Sequence, residues 1–302
     1  MEANITGFLA FTGCGAALCI LWFFLALRGK AGTRKSAAAS LLTLALGTLL
    51  GAGCARLVWM LFMMSSAPFL AFDYDQLAFY GGMAGVILAV ALSAKACRLN
   101  VRETLNTFAP MGALLAAVIR FAEYFLGEFG CGDWMEEGVF FPVTVEFRYG
   151  DYSEFYWAVF MLEGLFAVIA MVLALVHHGE RYRWVRTVFY LCLPQVICES
   201  LRINSIAWGF IRAEEVLCFL LCEGVLVWYA LKAGPKKLSS WVPALTGLLV
   251  CGVVIAAEFA KDGKIMISGG MIPAWIVYGA DAAALAVMAF MEHRGYRAAF
   301  GK

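Results

Sequence analysis

The sequence has 302 residues, of which 63% are hydrophobic and 15% charged, and its mean hydropathy is +0.81. Soluble domains carry about a quarter charged residues and just under half apolar ones, so this composition excludes an ordinary soluble globular protein. The formal net charge of +1 argues against nucleic acid as a partner, because nucleic-acid-binding surfaces need an excess of basic residues.

Apolar runs of about 20 residues, the length that a helix needs to cross a bilayer, recur along the chain. The chain starts Met1-Glu2 without a basic region or a small-residue cleavage site, so we predict that the first run is a retained helix rather than a signal peptide. The runs lie near 7–27, 38–62, 76–97, 104–126, 154–176, 187–206, 211–231, 241–258 and 271–291. They predict an all-α, polytopic membrane bundle of about nine spans.

The segments that follow the runs alternate in charge, and this alternation predicts the orientation. The basic segments follow the first, third, fifth, seventh and ninth runs: Arg28, Lys30, Arg34 and Lys35; Lys95, Arg98 and Arg102; Arg181, Arg183 and Arg186; Lys232, Lys236 and Lys237; Arg294, Arg297 and Lys302. The intervening segments carry acids: Asp73 and Asp75; Asp133, Glu136 and Glu137; Asp262. Because Lys and Arg concentrate on the cytoplasmic side, we predict the N-terminus outside and the C-terminus inside.

The longest connection, 127–153, is predicted to lie outside the cell as a small cap. Its second half, from Val139 to Arg148, is rich in β-branched and aromatic residues and favours a short hairpin.

Ionisable residues inside the predicted spans gather at the level of the outer leaflet. They are Arg56, Arg120, Glu123, Glu199, Arg202, Arg212, Glu214 and Glu215, with Glu163, Glu223 and Asp281 deeper. A charged side chain in a span costs several kcal/mol unless it is paired or hydrated. The i,i+3 pairs Arg120/Glu123 and Glu199/Arg202 are explained either as ion pairs that lock the bundle or as part of a polar cavity. The Tyr80-Gly81-Gly82 step favours a cavity that takes an amphiphile, with its headgroup among arginines.

Several blocks in order resemble the bacterial prolipoprotein diacylglyceryl transferases. The stretch LAFYGGMAGVILAVALSAKACRLN is similar to that family's third helix, where a His-Gly-Gly motif precedes a small-rich helix. NTFAP (106–110) and VIRFAEYFLGEFG (118–130) continue the match into the signature Gly-Arg-x-Gly-Asn-Phe-x-Asn-Gly-Glu. GAGCARLVWMLF (51–62), LEG (162–164) and CESLR (198–202) match further elements, so the resemblance covers about residues 10–232.

The resemblance implies a transferase that moves the diacylglyceryl group of phosphatidylglycerol onto the lipobox cysteine thiol of a preprolipoprotein. The reaction would occur at the outer face of the bacterial cytoplasmic membrane. The implied organisation is a seven-helix transferase-like domain over 1–232, with two further spans and a cytoplasmic tail over 233–302. Arg120 would face the lipid phosphate, and Glu199 would orient that network or take a proton. The implied substrate-binding residues are Arg56, Gly81, Gly82, Gly127, Glu128, Glu163, Gln195 and Arg202.

Three departures from the family change the predicted chemistry. Tyr80 stands where the family has its histidine, Glu123 replaces an asparagine, and Gln195 replaces an arginine. The histidines of the chain, His177, His178 and His293, all fall on the predicted cytoplasmic side, which excludes a histidine base at the outer leaflet. The pocket is about two charges less positive than the family's, so an anionic headgroup is expected to bind less well. Tyr80 is a hydrogen-bond donor before it is a base.

Three functions remain open. The first is an active transferase, with Arg120 as phosphate anchor, Glu123 or Glu199 as base, and Tyr80 in the site. The second is a catalytically silent relative that binds a phospholipid or a lipoprotein. The third is a transporter or flippase, for which Glu223 and Asp281 are the only hints.

No metal or cofactor is expected. The ten cysteines lie mostly in apolar runs without a CxxC pair, so they are interpreted as core residues. The chain also lacks nucleotide-binding and metalloprotease motifs.

Overall fold

A computed structural model describes residues 4–65, 67–70, 76–149, 152–203, 207–208, 211–261, 266–267, 270–271 and 273–301. Its helices are α1 (Ile5–Ala31), α2 (Thr33–Met63), α3 (Phe79–Ala96), α4 (Val101–Ala122), α5 (Val159–Val176), α6 (Arg183–Cys192), α7 (Gln195–Leu201), α8 (Ala213–Ala233), α9 (Leu238–Lys261) and α10 (Ala274–Phe300). Within these ranges, eight helices are long and apolar enough to cross a membrane. The predicted polytopic helical bundle is confirmed; the orientation of its termini stays a prediction.

The region predicted as a sixth span, 187–206, differs from the expectation of one continuous helix. The chain forms two short helices instead, α6 and α7, with Pro194 between them. Proline lacks the N–H that a continuous helix needs at this position. Its carbonyl accepts hydrogen bonds from the backbone N–H groups of Ile197 and Cys198, both at 3.1 Å, so the proline begins α7 rather than continuing α6.

The predicted fourth span, 104–126, lies within the apolar helical stretch Val101–Gly130, but its last residues are not α-helical. α4 stops at Ala122 and passes into a tighter 3-10 segment, Glu123–Gly130. Inside this segment Gly127 has a φ of 69° and a ψ of −133°, a backbone conformation that favours glycine. The chain therefore changes direction after the last turn of α4, which carries Arg120.

The described chain divides into two compact units. The first comprises Met1–Thr187 and Leu201–Glu214, and the second comprises Val188–Ser200 and Glu215–Lys302. The domain boundary predicted at residue 232 marks where the family resemblance ends. That boundary stays a prediction. In the first unit α1 packs on α2 and α4, α2 on α3, and α4 on α5; in the second, α9 packs on α10.

The apolar core of the first unit forms where four helices meet. Phe23 of α1 and Phe108 of α4 pack edge to face, with ring centroids 5.1 Å apart. The buried residues around them are Cys19, Leu27, Ala39, Val90, Leu105 and Met111. This contact fixes α4, and with it Arg120, relative to the other helices of the unit.

Glycines bring α2 and α3 into close contact. A Cβ atom at Gly85 would lie 2.2 Å from the carbonyl oxygen of Leu50, and one at Gly81 would lie 2.6 Å from that of Cys54. Gly81 and Gly85 are four residues apart and thus share one helix face, as in other membrane helices that pack through small residues. These glycines let the two backbones approach directly.

The connection predicted as a small cap contains three short strands: β1 (Trp134–Met135), β2 (Thr144–Tyr149) and β3 (Tyr152–Trp157). They form an antiparallel sheet in the order β1-β3-β2, with Val145 opposite Tyr156. The predicted bounds of the hairpin, Val139 to Arg148, are wrong: β2 pairs with β3, which lies wholly beyond Arg148. Val145, Phe147 and Tyr156 bury its inner face beside Phe160 of α5. The remaining strands are two-residue pairs: β4 (Ala207–Trp208) with β5 (Ile211–Arg212), and β6 (Met266–Ile267) with β7 (Gly270–Met271).

Candidate functional site

Four charged side chains of the first unit meet in its interior, and we call them the ion cluster: Arg120, Glu123, Glu163 and Arg202. Arg120 lies in the last turn of α4, Glu123 begins the 3-10 segment, and Glu163 lies on α5. Arg202 follows the last residue of α7. Each residue is at most 6% exposed. Charges buried this deeply must be paired, and the cluster pairs them as two arginines with two glutamates.

The distances connect all four side chains. Arg120 Nη1 donates to Glu123 Oε1 at 2.7 Å, and Arg120 Nε lies 3.3 Å from Glu163 Oε2. Arg202 Nη2 donates to Glu163 Oε2 at 2.5 Å and also to Glu123 Oε2. Both oxygens of Glu123 therefore accept from arginines, and the formal charge of the cluster is zero. The predicted Arg120/Glu123 pair is present.

Arg120 keeps one donor outside this network. Its Nη2 is buried and has no hydrogen-bond partner among the described residues. The ring of Phe79 covers the guanidinium, with its centroid 3.8 Å from Cζ, and Tyr80 interacts electrostatically with the same group. An unsatisfied N–H on a buried guanidinium costs free energy, so this edge is suited to an oxygen acceptor from a bound molecule.

The cap and its connections hold the backbone of Arg202. Gly132 pairs with Arg202 as an antiparallel bridge, and the N–H of Ile203 donates to the carbonyl of Cys131 at 3.2 Å. Arg212 Nη1 donates to the Arg202 carbonyl at 2.8 Å. A Cβ atom at Gly132 would lie 2.5 Å from the carbonyl oxygen of Leu201, so only glycine fits this approach.

Residues of the 3-10 segment shape the space next to Glu123. A Cβ atom at Gly130 would lie 2.8 Å from Glu123 Oε2. Gly127, a predicted binding residue, supplies the change of direction, while Glu128 is exposed. Burial raises the pKa of the neighbouring Cys131 thiol to about 12, although Arg202 opposes the shift. That thiol is therefore neutral at physiological pH.

Other predicted residues have contacts outside the ion cluster. Arg56 is fully buried; its Nη1 donates to Gln76 at 2.8 Å, its Nη2 donates to the Pro68 carbonyl at 3.2 Å, and its guanidinium lies 4.7 Å from the Trp59 ring centroid. Arg56 thus tethers the α2–α3 connection.

Gly81 contacts the α2 backbone and Gly82 packs less closely against the same helix, so a role in lipid binding stays a prediction for both.

Gln195 and Glu199 belong to the second unit, where both are buried. Gln195 Nε2 donates to Glu199 Oε1 at 2.7 Å along α7. Arg202 lies beyond the end of α7. The expectation that Glu199 and Arg202 share one helix face is therefore wrong. Their roles in substrate binding and catalysis stay predictions.

Sequence reasoning missed Phe79, Gly130 and Gly132. Phe79 precedes the Tyr-Gly-Gly step, and its aromatic face on Arg120 has no signature in a sequence. The glycines were visible in GEFGCG, but their purpose depends on which backbone and side chain come near them. Among the described residues no group of three His, Cys, Asp or Glu side chains is arranged to hold a metal ion.

Comparisons with known proteins identify the family. The family model of prolipoprotein diacylglyceryl transferase matches residues 6–231. A phosphatidylglycerol–prolipoprotein diacylglyceryl transferase of Clostridium novyi (strain NT) is 25% identical over 189 residues, which cover 58% of this chain and 72% of that protein. A protein of the same name from Listeria welshimeri serovar 6b is 21% identical over 172 residues, or 54% of this chain and 62% of the relative.

No solved structure matches the chain. The family model covers three quarters of the sequence, including every member of the ion cluster. The chain is a multi-pass membrane protein that belongs to the prolipoprotein diacylglyceryl transferase family.

Proposed function

We propose that the protein transfers a diacylglyceryl group from a phospholipid to the cysteine thiol of a lipoprotein. The names of its relatives specify phosphatidylglycerol as donor and a prolipoprotein as acceptor. The eight apolar helices support a reaction at a membrane, and we assign it to the outer leaflet of the bacterial cytoplasmic membrane. The basic segments on one predicted side support this assignment.

The chemistry requires two groups from the protein. The cysteine sulfur forms a bond to a glyceryl carbon, and the bond from that carbon to a phosphate oxygen breaks. The leaving phosphate gains negative charge as the bond breaks, so a fixed hydrogen-bond donor at its oxygen lowers the barrier. The thiol proton must pass to a base.

The unpartnered Nη2 of Arg120 is the observation that carries this proposal. The remaining guanidinium contacts, to Glu123 and Glu163, fix its orientation before a lipid arrives. Its open edge supplies the donor for a phosphate oxygen, while the ring of Phe79 covers the face of the same guanidinium. A donor held in place in this way needs no rearrangement during the reaction.

We assign the base to Glu199 rather than Glu123. Both oxygens of Glu123 accept from arginines, so Glu123 positions Arg120 and Arg202. Tyr80 takes the place of the family histidine as a donor near Arg120. We propose substrate-binding roles for Arg202, Glu163, Gly127, Glu128, Gln195, Arg56, Gly81 and Gly82, the positions that the family resemblance implies.

The test is lipidation of a lipobox peptide by the purified protein in phosphatidylglycerol vesicles, followed by the peptide mass. We expect Arg120→Ala to reduce transfer about 100-fold or more, the effect of losing one oxyanion donor. Arg120→Lys keeps a positive charge beside Glu123 and Glu163. This variant therefore separates the loss of the guanidinium donor from the loss of the fold. Arg148→Ala, on an exposed residue of the cap, is the control. An unchanged peptide mass with phosphatidylglycerol, and with vesicles of every other phospholipid headgroup, would overturn the proposal.

A second function has its own support. The neutral, self-paired cluster and Tyr80 in place of a histidine also fit a silent relative that binds lipid or lipoprotein. In that case the protein co-purifies with unconverted phospholipid, and native mass spectrometry detects it. Turnover of the peptide decides against this alternative.

A further inference from the structure

We propose that the first unit carries a second phospholipid site, at the opposite end of α4 from Arg120, which binds the phosphate of an anionic phospholipid. We call it the basic site and define it by Lys30, Arg102, Arg181 and Tyr182. Its activity is binding alone, so it goes beyond the proposed transfer reaction and does not depend on it. The ligand comes from the lipid leaflet around this end of the helices.

Two arginines from separate parts of the chain meet at one aromatic ring of the basic site. Cζ of Arg102 lies 5.8 Å from the centroid of the Tyr182 ring, and Cζ of Arg181 lies 5.4 Å from it. Both guanidinium groups are therefore within reach of one phosphate group, whose oxygens suit their planar sets of donors. Basic residues concentrate on one side of many membrane proteins, but that tendency does not bring two of them to the same ring.

Asn106 of α4 fixes the position of the connection that carries Arg181 and Tyr182. Its side-chain amide donates to the carbonyl of Arg181 at 2.9 Å, and its side-chain oxygen accepts from the backbone N–H of Trp184 at 3.1 Å. Nε of the buried Arg183 donates to the Asn106 carbonyl at 2.8 Å. The connection is thus held against α4 before a ligand arrives, which lowers the entropy that binding costs.

Lys30 of α1 adds a third positive charge to the basic site. Its Nζ donates to Oγ1 of Thr107 on α4 at 3.1 Å, and this partner is neutral. Within the described ranges of the chain, no ion pair joins Lys30, Arg102 or Arg181 to a carboxylate. Three cations therefore keep their charge available to an anion from outside the protein.

The acids near the basic site do not cancel this charge. Both oxygens of Glu180 accept from Nη1 of Arg186 at 2.8 Å, so this carboxylate already has a cationic partner. Glu103 is exposed in the first turn of α4, on the same helix face as Thr107, and offsets at most one of the three charges. The buried Arg183 adds a further positive charge beside them. The surroundings are thus net positive and favour a phosphate.

The length of α4 separates the basic site from the ion cluster by about one bilayer. Arg102 and Arg120 lie 18 residues apart on this helix, which corresponds to about 27 Å at about 1.5 Å per residue. The hydrocarbon core of a bilayer is about 30 Å thick. Trp184, a residue type enriched at membrane–water interfaces, packs on the apolar core beside the basic site. A phosphate there lies at the headgroup level of the leaflet opposite to the ion cluster, where basic pockets between helices bind anionic lipids.

The experiment embeds the full-length protein in nanodiscs of phosphatidylcholine that contain a small fraction of phosphatidic acid, whose headgroup is the phosphate itself. Native mass spectrometry counts the phosphatidic acid that the protein retains. We expect Arg102→Ala and Arg181→Ala each to lower this retention about 5-fold, the contribution of one cation near an anionic headgroup. Neither variant changes a residue of the ion cluster, and neither side chain is fully buried, so a loss of retained lipid is assigned to the basic site.

A matched pair of variants on α1 tests whether position or total charge matters. Lys30→Ala removes a charge of the basic site and should lower retention. Arg28→Ala makes the same change of charge and should leave retention unchanged, because the exposed Arg28 lies two residues away, on the other side of the helix.

Three results would overturn the inference: unchanged retention in both Arg102→Ala and Arg181→Ala, an equal loss in Arg28→Ala, or displacement of the lipid by soluble glycerol phosphate. The second would show a diffuse basic surface, and the third a site for a soluble phosphate ester. Transfer to a lipobox peptide is measured separately. Retention at the basic site without transfer would remove the proposed function and keep this inference.

Discussion

The two compact units bury carboxylates in different ways. In the first unit, Glu123 and Glu163 are held by the guanidinium groups of Arg120 and Arg202. In the second, Glu292 is fully buried and accepts from the hydroxyls of Tyr190 at 2.8 Å and Tyr229 at 3.0 Å. The first arrangement compensates charge with charge, and in the second an acid accepts two hydrogen bonds from neutral hydroxyls.

The two ways of holding a buried carboxylate have different physical consequences. Ion pairs in a low-dielectric interior hold charged groups in fixed directions, which phosphate chemistry requires, but each pair is costly to disturb. Neutral hydrogen bonds add rigidity at a smaller penalty if one is lost. The aromatic rings of Tyr229, Tyr296 and Phe300 pack together next to Glu292, consistent with a structural role. The comparison predicts that removing a buried charge lowers the free energy of unfolding more in the first unit than in the second.

The largest expected effect is in the ion cluster. Glu163→Ala removes a partner from both Arg120 and Arg202, so we expect it to lower the free energy of unfolding by about 3–5 kcal/mol. Chemical denaturation in detergent measures the change. Glu103→Ala, at an exposed position of α4, should stay within about 0.5 kcal/mol of the native protein. A loss below 1 kcal/mol for Glu163→Ala would mean that the cluster does not hold this unit together.

The second prediction removes charge but keeps shape in the second unit. Glu292→Gln keeps an oxygen acceptor for one of the two tyrosine hydroxyls, and its amide N–H can donate to the oxygen of the other, so we expect a loss of only about 1 kcal/mol or less. Glu292→Ala leaves both hydroxyls without this partner and should cost about 2 kcal/mol. The same denaturation experiment gives both values. If the glutamine variant were as damaging as the alanine variant, the comparison between the units would fail.

The third prediction concerns Glu223, midway along α8. Its Oε2 has no hydrogen-bond partner in the described part of the chain, and a Cβ atom at Gly247 of α9 would lie 2.1 Å from it. We expect Gly247→Ala to cost about 1 kcal/mol, because the end of the side chain must move.

Gly252 on the same helix has nothing within 4 Å of its Cβ position, so Gly252→Ala is the matched control. It should stabilise the helix by about 1 kcal/mol or less, since alanine is the better helix former. Combining Gly247→Ala with Glu223→Ala should remove the penalty. A penalty that persists in this double variant would show that Glu223 is not the obstacle.

The smallest effect extends the comparison to a carboxylate in water. Glu146 of the cap accepts from Ser153 Oγ at 2.7 Å and Arg148 Nε at 3.1 Å, and these bonds hold its pKa below the ordinary 4.5. A lowered pKa stabilises the folded hairpin above pH 4.5, and the contribution disappears as the pH falls through the lowered pKa.

Ser153→Ala removes the larger cause and should move the pKa of Glu146 back toward 4.5, as followed by NMR titration of labelled glutamate. Ser153→Thr keeps the hydroxyl and serves as the control. An unchanged titration in the alanine variant would assign the shift to Arg148 instead.

Much of the bundle was predictable because membrane helices obey strong local rules. Each unbroken apolar run had to satisfy its own backbone hydrogen bonds in lipid, so α1, α2 and α5 follow from length and hydropathy. The break at Pro194 was harder to predict. The proline was visible, but many membrane helices tolerate proline when neighbours satisfy the released backbone groups.

The sequence predicted which residues belong to the candidate site, but not how they contact one another. Arg120, Glu123, Glu163 and Arg202 were recognisable as charges in apolar segments, and the Arg120/Glu123 spacing indicated one pair. Their convergence depends on α4, α5 and the chain after α7, which are far apart in sequence. No local pattern records that Glu123 accepts from both arginines, or that Phe79 covers Arg120.

The sequence by itself determined that this chain lies in a membrane, belongs to a lipid-modifying family and carries charges that must be compensated. Composition and helix length decide these features because lipid penalises every exposed polar group. Only the tertiary structure decided which charges compensate each other, that the cluster is neutral, and that one edge of Arg120 stays open. Those properties depend on distances of a few ångströms between separate helices, over which electrostatic energies change steeply.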